Sequence, residues 1–454
     1  MKVNPFIFRT YDIRGIYPQQ LNEKIAFQIA LSFVKVYPQV KKIVVAYDAR
    51  LHSLPLAKAV IEALINQGRE VIDIGLAPDP LFSFTLFHYK FDGGIMVTAS
   101  HLPPEYNGLI LNVKGKGVTK ENLEKIKQEV MKGVSPEKTK KGKLVSLNPE
   151  KDYILYVSKK IRLKKPLKII FDSGNGAMNY LPEKVFKKIG CKVKTIFGEP
   201  DGNFPNHLPD PYLEENLKDL KEQVLKEGFD VGFAFDGDGD RVALVDRKGR
   251  RVLEDYCLLL LAKHVLKQKR GPVVHGVRVS EIFLKEMKKM GVKTYFSVCH
   301  HNAIIEKIEK VRAVFGGEIT SHYFFPRDYY LTDDALFSSL KLAEVVSQFE
   351  DFADYVDTLP KIFILPEIFI KTSDEEKFLI IEKLKNYLRK EKIDFIDVDG
   401  ARIQFKNGWA LARASNTSPY IKIRFEGKTK KDLIEIKKKA LKIFQKGGLR
   451  ILPT

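Results

Sequence analysis

Val231-Gly-Phe-Ala-Phe-Asp236-Gly-Asp238-Gly-Asp240-Arg241-Val-Ala-Leu-Val245 is two apolar runs joined by a short polar loop. The flanks, 231–235 and 242–245, are rich in β-branched and aromatic residues and read as strands. Between them Asp236, Asp238 and Asp240 alternate with glycine, so all three carboxylates can turn inward on one hard cation. Oxygen-only ligands favour Mg²⁺ over zinc. A calcium hand also begins D-x-D-x-D, but it requires glycine at position six and glutamate at position twelve, and it is flanked by helices. Those two positions here are Arg241 and Arg247. The plainer reading, an acidic turn with no ion, leaves three carboxylates repelling one another. The loop is read as metal-binding, with strands on both sides.

Upstream, Gly94-Ile-Met-Val97 reads as a buried strand and delivers Thr98-Ala99-Ser100-His101 at its end. A serine before a turn is as readily a cap as a nucleophile. Pro103-Pro104 stiffens the chain after it, and Asn107-Gly108 is a strong tight-turn pair. A serine nucleophile, a divalent-metal loop and a neighbouring arginine are together the parts for phosphoryl transfer.

The motif-bearing strands echo one another. Ile43-Val-Val-Ala-Tyr-Asp-Ala-Arg50, Lys168-Ile-Ile-Phe-Asp-Ser-Gly174 and Pro272-Val-Val-His-Gly-Val-Arg278 each run from an apolar strand into a polar loop. Helical patterns alternate with them. Asn22 is placed to cap a helix with Ile25, Ile29 and Phe33 in register, and Ser53 and Pro55 open one with Leu56, Val60 and Leu64 on one face. Such alternation implies α/β layers with functional loops at the carboxyl ends of strands. The lysine-rich stretch 136–143 reads as a linker; the tail reads as strands over 401–425 and a helix over 430–444.

At 454 residues the chain is too long for one core and should divide into about three or four domains. Its 44% apolar content is that of a globular protein. No signal peptide is read at the start, and the apolar run 256–262 is far too short to span a bilayer. Three cysteines (Cys191, Cys257, Cys299) point to a reducing, cytoplasmic setting. Cys299-His300-His301 is a poor metal site, because adjacent residues rarely converge on one ion. The net charge of +20 is spread through helices among glutamates, with no nucleic-acid motif, so neither nucleic acid nor membrane is the expected partner.

Taken with Phe8-Arg9-Thr10-Tyr11-Asp12-Ile13-Arg14-Gly15, Asp172-Ser-Gly-Asn-Gly-Ala177, Pro200-Asp-Gly-Asn-Phe-Pro-Asn206, Gly316-Gly-Glu-Ile-Thr-Ser-His322 and Arg413-Ala-Ser-Asn-Thr-Ser-Pro419, the sequence resembles the α-D-phosphohexomutase family, which includes phosphomannomutase and phosphoglucomutase. The motifs keep the family's order over residues 8–426, and the run after Glu318 is most similar to the bacterial phosphomannomutase branch. The resemblance implies three similar α/β/α domains with mixed sheets plus a smaller C-terminal α+β domain around a central cleft. The implied domains are 1–150 (phosphoserine), 151–253 (metal), 254–366 (sugar) and 367–454 (phosphate).

It also implies interconversion of hexose 1-phosphate and hexose 6-phosphate, mannose and/or glucose, through a phosphoserine and a hexose bisphosphate intermediate. By the same resemblance Ser100 is the phosphoserine, and Asp236, Asp238 and Asp240 with the Ser100 phosphate hold Mg²⁺. His101, Arg14 and Arg241 join the catalytic group, the arginines neutralising charge on the transferring phosphoryl group. His322 stands where the family places an acid/base. Tyr11, Glu318 and Thr320 would contact substrate; Arg413, Ser415, Asn416 and Thr417 would hold the non-reacting phosphate.

The departures are specific. The family reads S-H-N-P-x-x-Y-N-G-x-K where this chain has Leu102 for the asparagine and Ile110 for the lysine. Charge-directed donors in such sites are worth ~3–4 kcal/mol each. Lys114 shares the face of Ile110, but four residues of strand is about 13 Å, beyond easy reach. Thr320 and Ser321 replace serine and a small glycine or alanine, Ser418 replaces glutamate, and Val298 stands where many relatives carry a cation. A mutase-like protein that binds sugar phosphate and Mg²⁺ without efficient turnover is therefore the alternative to a working mutase. The intact metal loop favours the working enzyme, since a purely structural descendant has little reason to keep three repelling carboxylates.

Overall fold

A computed structural model of the chain describes residues 3–136, 140–415 and 419–450. It forms two compact units, Met1–Leu261 with Thr320–Val356, and Ala262–Ile319 with Asp357–Thr454.

The first unit contains two sheets. In the larger one the strands run in the order Ile13–Ile16, Tyr106–Val113, Gly93–Val97, Lys42–Tyr47, Glu70–Leu76, Lys143–Ser146, with Lys116–Gly117 paired onto Tyr106–Val113. The centre is parallel and the Tyr106–Val113 side antiparallel, so the sheet is mixed. Ile43, Val45, Ile95, Val97, Leu109 and Leu111 face one apolar core with Ile25, Ile29 and Phe33 of helix Glu23–Val36 and Leu56, Val60 and Leu64 of helix Ser53–Asn66. The Asn22 side chain accepts from the Ile25 N–H at 3.2 Å, the cap expected of it. Helix Ser53–Asn66 begins at its expected serine, but that hydroxyl donates to Asp48 instead of capping.

One local expectation needs correcting. Asn107 and Gly108 form no turn; they lie inside strand Tyr106–Val113, opposite Gly15 and Arg14. The Asn107 amide is used laterally on the Ser53 hydroxyl at 2.8 Å. Gly108 is required by crowding, since a Cβ there would come within 2.4 Å of the Ile13 carbonyl and 2.7 Å of that of Thr98. Of the stretch 136–143 read as a linker, 137–139 lie outside the described residues, and Lys143 opens an edge strand parallel to Glu70–Leu76.

The second sheet runs Arg251–Val252, Val242–Asp246, Val231–Phe235, Lys168–Asp172, Lys192–Ile196. Phe235 pairs with Val242 in an antiparallel hairpin, so residues 236–241 are its loop. Both hairpin strands are buried throughout, which is why they read as continuous apolar runs.

The second unit has a parallel core of Val273–Gly276 between Thr294–Ser297 and Phe315–Gly317. Its C-terminal part is an antiparallel sheet in the order Phe363–Ile364, Tyr420–Gly427, Gly408–Ala414, Ala401–Phe405, Phe395–Ile396, with Ile368–Lys371 also on Tyr420–Gly427. Helices Glu376–Lys390 and Lys430–Lys446 supply Ile381, Leu384, Leu388, Leu433, Ile436 and Phe444 to its core. Among the described residues no helix is long and apolar enough to cross a membrane.

Candidate active site

In the first unit two loops meet. One follows strand Gly93–Val97 and carries Ser100; the other is the hairpin loop with the three aspartates. They touch at the backbone: a Cβ on Gly237 would lie 2.4 Å from the Ser100 carbonyl oxygen, so only glycine permits this approach. The Ser100 hydroxyl donates to Asp236 Oδ2 at 2.7 Å. Ser100 is buried and holds a left-handed backbone, φ +52°, a conformation that costs a non-glycine residue about 1 kcal/mol or more.

Carboxylate oxygens of Asp236, Asp238 and Asp240 lie within 4.8 Å of one another. Asp238 Oδ1 and Asp240 Oδ1 are buried with no hydrogen-bond partner. Buried acceptors left this way are expensive, and a hard cation satisfies them. The donor set therefore fits a metal ion. Burial and the neighbouring Asp240 push Asp236 well above the usual carboxylate range. Burial, then Asp236 and Asp48, raise Asp238 to about 7. The Thr98 hydroxyl stands 2.8 Å from Asp48 Oδ2 and 2.9 Å from Asp238 Oδ2. Its one proton serves only one of them at a time.

Arg241 joins this loop to the rest of the unit. Its Nη1 donates to His101 Nδ1 at 3.1 Å and its Nε to His322 Nε2 at 3.3 Å, while Asp240 lies 3.6 Å from Nε. Burial alone would lower the Arg241 guanidinium; Asp240 and Asp236 outweigh it and raise it. An arginine can only donate, so His101 Nδ1 presents a lone pair to it. The Ser100 proton goes to Asp236, the shorter contact, and not to His101. His322 Nδ1 stands 2.7 Å from Asp333 Oδ2 and 4.0 Å from Asp240 Oδ2. Burial and the Arg241 guanidinium oppose a charge on this ring, while Asp240 and Asp333 raise it to about 9; the Arg241 bond to Nε2 belongs to the neutral ring, whose proton then sits on Nδ1 facing Asp333. Arg14 pairs with Asp12 at 2.7 Å and reaches the Ala99 carbonyl at 3.5 Å.

The second unit holds its own charged cluster. Arg413 pairs with Asp399 at 3.1 Å, and Asp399 accepts from the Cys299 N–H at 3.0 Å. Arg278 lies 3.8 Å from Glu318 and 3.3 Å from Glu367. Arg278, Glu318, Arg413 and Ser415 are all buried. Burial opposes the charge on Arg413, yet Asp399 raises it above its ordinary value. Fixed, buried guanidinium groups suit a phosphate dianion, and the buried Ser415 follows Arg413 by two residues.

Four matches to one family cover most of the chain. Residues 5–137, 151–249 and 254–363 match the phosphoglucomutase/phosphomannomutase alpha/beta/alpha domains I, II and III, and 367–443 match its C-terminal domain. The chain belongs to the phosphoglucomutase/phosphomannomutase family. It is 33% identical to a phosphomannomutase/phosphoglucomutase of Pseudomonas aeruginosa, covering 95% of this chain and 94% of that protein. It is 31% identical to a phosphoglucomutase of Neisseria gonorrhoeae, with 93% of each covered. The crystal structure of a phosphoglucomutase/phosphomannomutase family protein from Burkholderia thailandensis superposes with a TM-score of 0.91 at 28% identity, covering 99% of both chains.

Within this family fold, Ser100, His101, Asp236, Asp238, Asp240, Arg241 and His322 come together in the first unit, with Arg14 reaching the serine loop through Ala99. Tyr11 is half-buried just before strand Ile13–Ile16, and Thr320 is half-buried in the turn before His322. Asn416 and Thr417, like Ser418, lie outside the described residues. Sequence reasoning missed Asp48, Arg50, Asp333, Arg278 and Asp399. Asp48, Arg50 and Arg278 carried a signal: each sits just after a strand of the echoed set, where α/β proteins gather functional groups. Asp333 and Asp399 carried none, being acidic residues in loops with no motif around them.

Proposed function

We propose that the protein interconverts hexose 1-phosphate and hexose 6-phosphate, of mannose and/or glucose, through a phosphoserine at Ser100 and a hexose bisphosphate intermediate. One observation carries the reading. The buried Ser100 hydroxyl donates at 2.7 Å to Asp236, whose loop also carries two buried carboxylate oxygens that accept no hydrogen bond and ends in Arg241.

Asp236, Asp238 and Asp240, with an oxygen of the Ser100 phosphate, would hold Mg²⁺, which supplies charge neutralisation to the phosphoryl oxygens. The chain's own residues do the rest. A sugar hydroxyl oxygen attacks the phosphorus on Ser100 Oγ, the P–Oγ bond breaks, and the hydroxyl proton leaves as the seryl oxygen regains one; the reverse transfer then uses the other sugar phosphate. Arg241 and Arg14 stabilise the transferring group, and His101 orients Arg241. His322, paired with Asp333, is the acid/base group. In the other unit Glu318 binds sugar hydroxyls, and Arg413 and Ser415 with Asn416 and Thr417 bind the phosphate that does not react. Tyr11 and Thr320 complete the substrate contacts.

Domain roles follow: 1–150 presents the phosphoserine, 151–253 the metal, 254–366 the sugar loop and 367–454 the phosphate loop. We place the activity in the cytoplasm, where the three buried, unbridged cysteines stay reduced. The deciding experiment is a coupled assay on mannose 1-phosphate and glucose 1-phosphate with Mg²⁺ and an activating sugar bisphosphate. Formation of the 6-phosphate is expected; no turnover of either sugar refutes the reading.

A further inference from the structure

Arg50 lies after strand Lys42–Tyr47, and its side chain is fully shielded from solvent. A guanidinium has five N–H bonds in a planar fork, and here every one is used. Nε donates to Asp48 Oδ2 at 3.1 Å. Nη1 donates to the carbonyls of Pro103 at 2.6 Å and Tyr106 at 3.1 Å. Nη2 donates to the carbonyls of Ser100 at 2.7 Å and Leu102 at 2.6 Å. Three of these carbonyls belong to the loop that carries the nucleophile, and the fourth, of Tyr106, opens the strand into which that loop runs. Pro103 and Pro104 have no N–H, so this loop has few donors of its own. Buried carbonyls without partners would favour another backbone path. The Phe204 ring covers the guanidinium from the side, 5.2 Å from centroid to Cζ. Asp48 in turn accepts from the Ser53 and Thr98 hydroxyls, so the clamp is itself anchored.

The strained residue in this loop is Ser100, at φ +52°. Strain of this kind persists only where the surroundings over-determine it. Ser100 is fixed from two sides: its carbonyl takes an Arg50 N–H, and the same oxygen abuts Gly237 of the metal loop. We propose that Arg50 is a positioning residue for phosphoryl transfer, holding the Ser100 loop by three of its carbonyls and by that of Tyr106 at its exit so that the strained serine keeps its hydroxyl on Asp236. The proposal rests on the reading of Ser100 as the phosphoryl carrier. What matters is the shape of the fork; positive charge at this position is not sufficient.

The test uses the purified full-length protein with Mg²⁺ and glucose 1-phosphate. Arg50→Lys keeps the charge but offers three donors from one point, which cannot span four carbonyls and a carboxylate. Its kcat should fall about a hundredfold or more while KM moves less than about threefold. For Arg50→Gly, guanidinium ion at a sub-denaturing concentration should restore turnover where ammonium ion does not. A merely structural arginine gives neither that split nor that selective rescue. Full activity in Arg50→Lys overturns the proposal, as does a loss in folded Arg50→Gly that guanidinium leaves untouched. If neither variant folds, Phe204→Leu decides: it loosens the clamp without touching the loop, and should lower kcat about threefold or more at constant KM. Unchanged kcat there overturns the proposal. Ser100→Ala separates the two readings. Turnover surviving in Ser100→Ala removes the nucleophile assignment, whereas an inactive Ser100→Ala beside fully active Arg50 variants removes only the clamp.

Discussion

Asp238→Asn should stabilise the chelated protein while disabling it. The Asp238 side chain is fully buried, and carboxylate oxygens of Asp236 and Asp240 lie within 4.8 Å. Two unit charges at 4.8 Å repel by about 3.5 kcal/mol at an effective dielectric of ~20. The protein can relieve this by keeping a proton, and Asp238 is indeed raised from 3.8 to about 7 by burial, Asp236 and Asp48. Ionising it in the folded, metal-free state therefore costs about 4 kcal/mol, roughly 1.4 kcal/mol for each unit of the rise. The sign follows. Between pH 4 and pH 7 the folded chain holds a proton that the unfolded chain has lost, so stability falls as pH rises through that window and is level above it. In chelator at pH 8, Asp238→Asn should raise the calorimetric unfolding temperature of the first unit by several degrees and remove this pH slope. Adding Mg²⁺ should stabilise the native protein and barely move the variant, whose kcat should be at least about a hundredfold lower. Equal stability of the two proteins in chelator, or an equal Mg²⁺-induced shift, would refute the reasoning.

Purified protein should carry one phosphate on Ser100, and Ser100→Ala should abolish it; peptide mapping to another residue would remove the assignment. Arg413→Ala should raise KM about tenfold or more with a smaller change in kcat, because a contact to the non-reacting phosphate is shared by ground and transition states; an unchanged KM would move the phosphate site elsewhere. Ile110→Lys should accelerate turnover about tenfold, ~1.4 kcal/mol of barrier, and an unaltered rate would mean that the charge is already supplied. Burial holds the His275 ring down to about 4. The unfolded ring, near 6.5, binds a proton that the folded one refuses, so the second unit should lose roughly 3 kcal/mol as pH falls from 6.5 to 4; urea midpoints independent of pH across that window would contradict it.

The strands and loops that carry chemistry were legible because their signals are local. A six-residue acidic loop between buried runs can hardly be anything but a hairpin with its carboxylates converging, and it is one. Asn107-Gly108 misled for the opposite reason: the pair is a turn signal only where nothing else crowds it. Here tertiary contact with Ile13 and Thr98 decides, and the glycine serves close approach. The supporting groups were illegible because a buried charge is recognised by its partners. Arg50 is an ordinary arginine until four carbonyls from residues 50 to 56 positions away are seen around it. Asp333 becomes part of the site only through His322, and Asp399 only through Arg413 and the Cys299 N–H.

The same distinction bears on the departures from the family pattern. Leu102 replaces an asparagine side chain, but the interaction this position makes with Arg50 uses its carbonyl, which any residue supplies. Ser321 stands where the family uses glycine or alanine, and its φ of +62° explains the glycine; a serine there costs about 1 kcal/mol of backbone strain without removing a contact. Ile110 is different in kind. It pairs with Met96 and is half-buried, between Leu109 and Leu111, which enter the helix-covered core, so by alternation it lies on the other face of the sheet. The Thr98 N–H bonds the Gly108 carbonyl, so the serine loop begins two residues away, about 7 Å along the strand and within the reach of a lysine side chain. Lys114 cannot substitute: its own N–H is tied to the Asp92 carbonyl at the far end of the hairpin. Of these three departures, Leu102 and Ser321 leave the backbone contacts in place. Only Ile110 removes a charge from the neighbourhood of Ser100, leaving Arg14 and Arg241 as the cations that the proposed mechanism sets against the phosphoryl group.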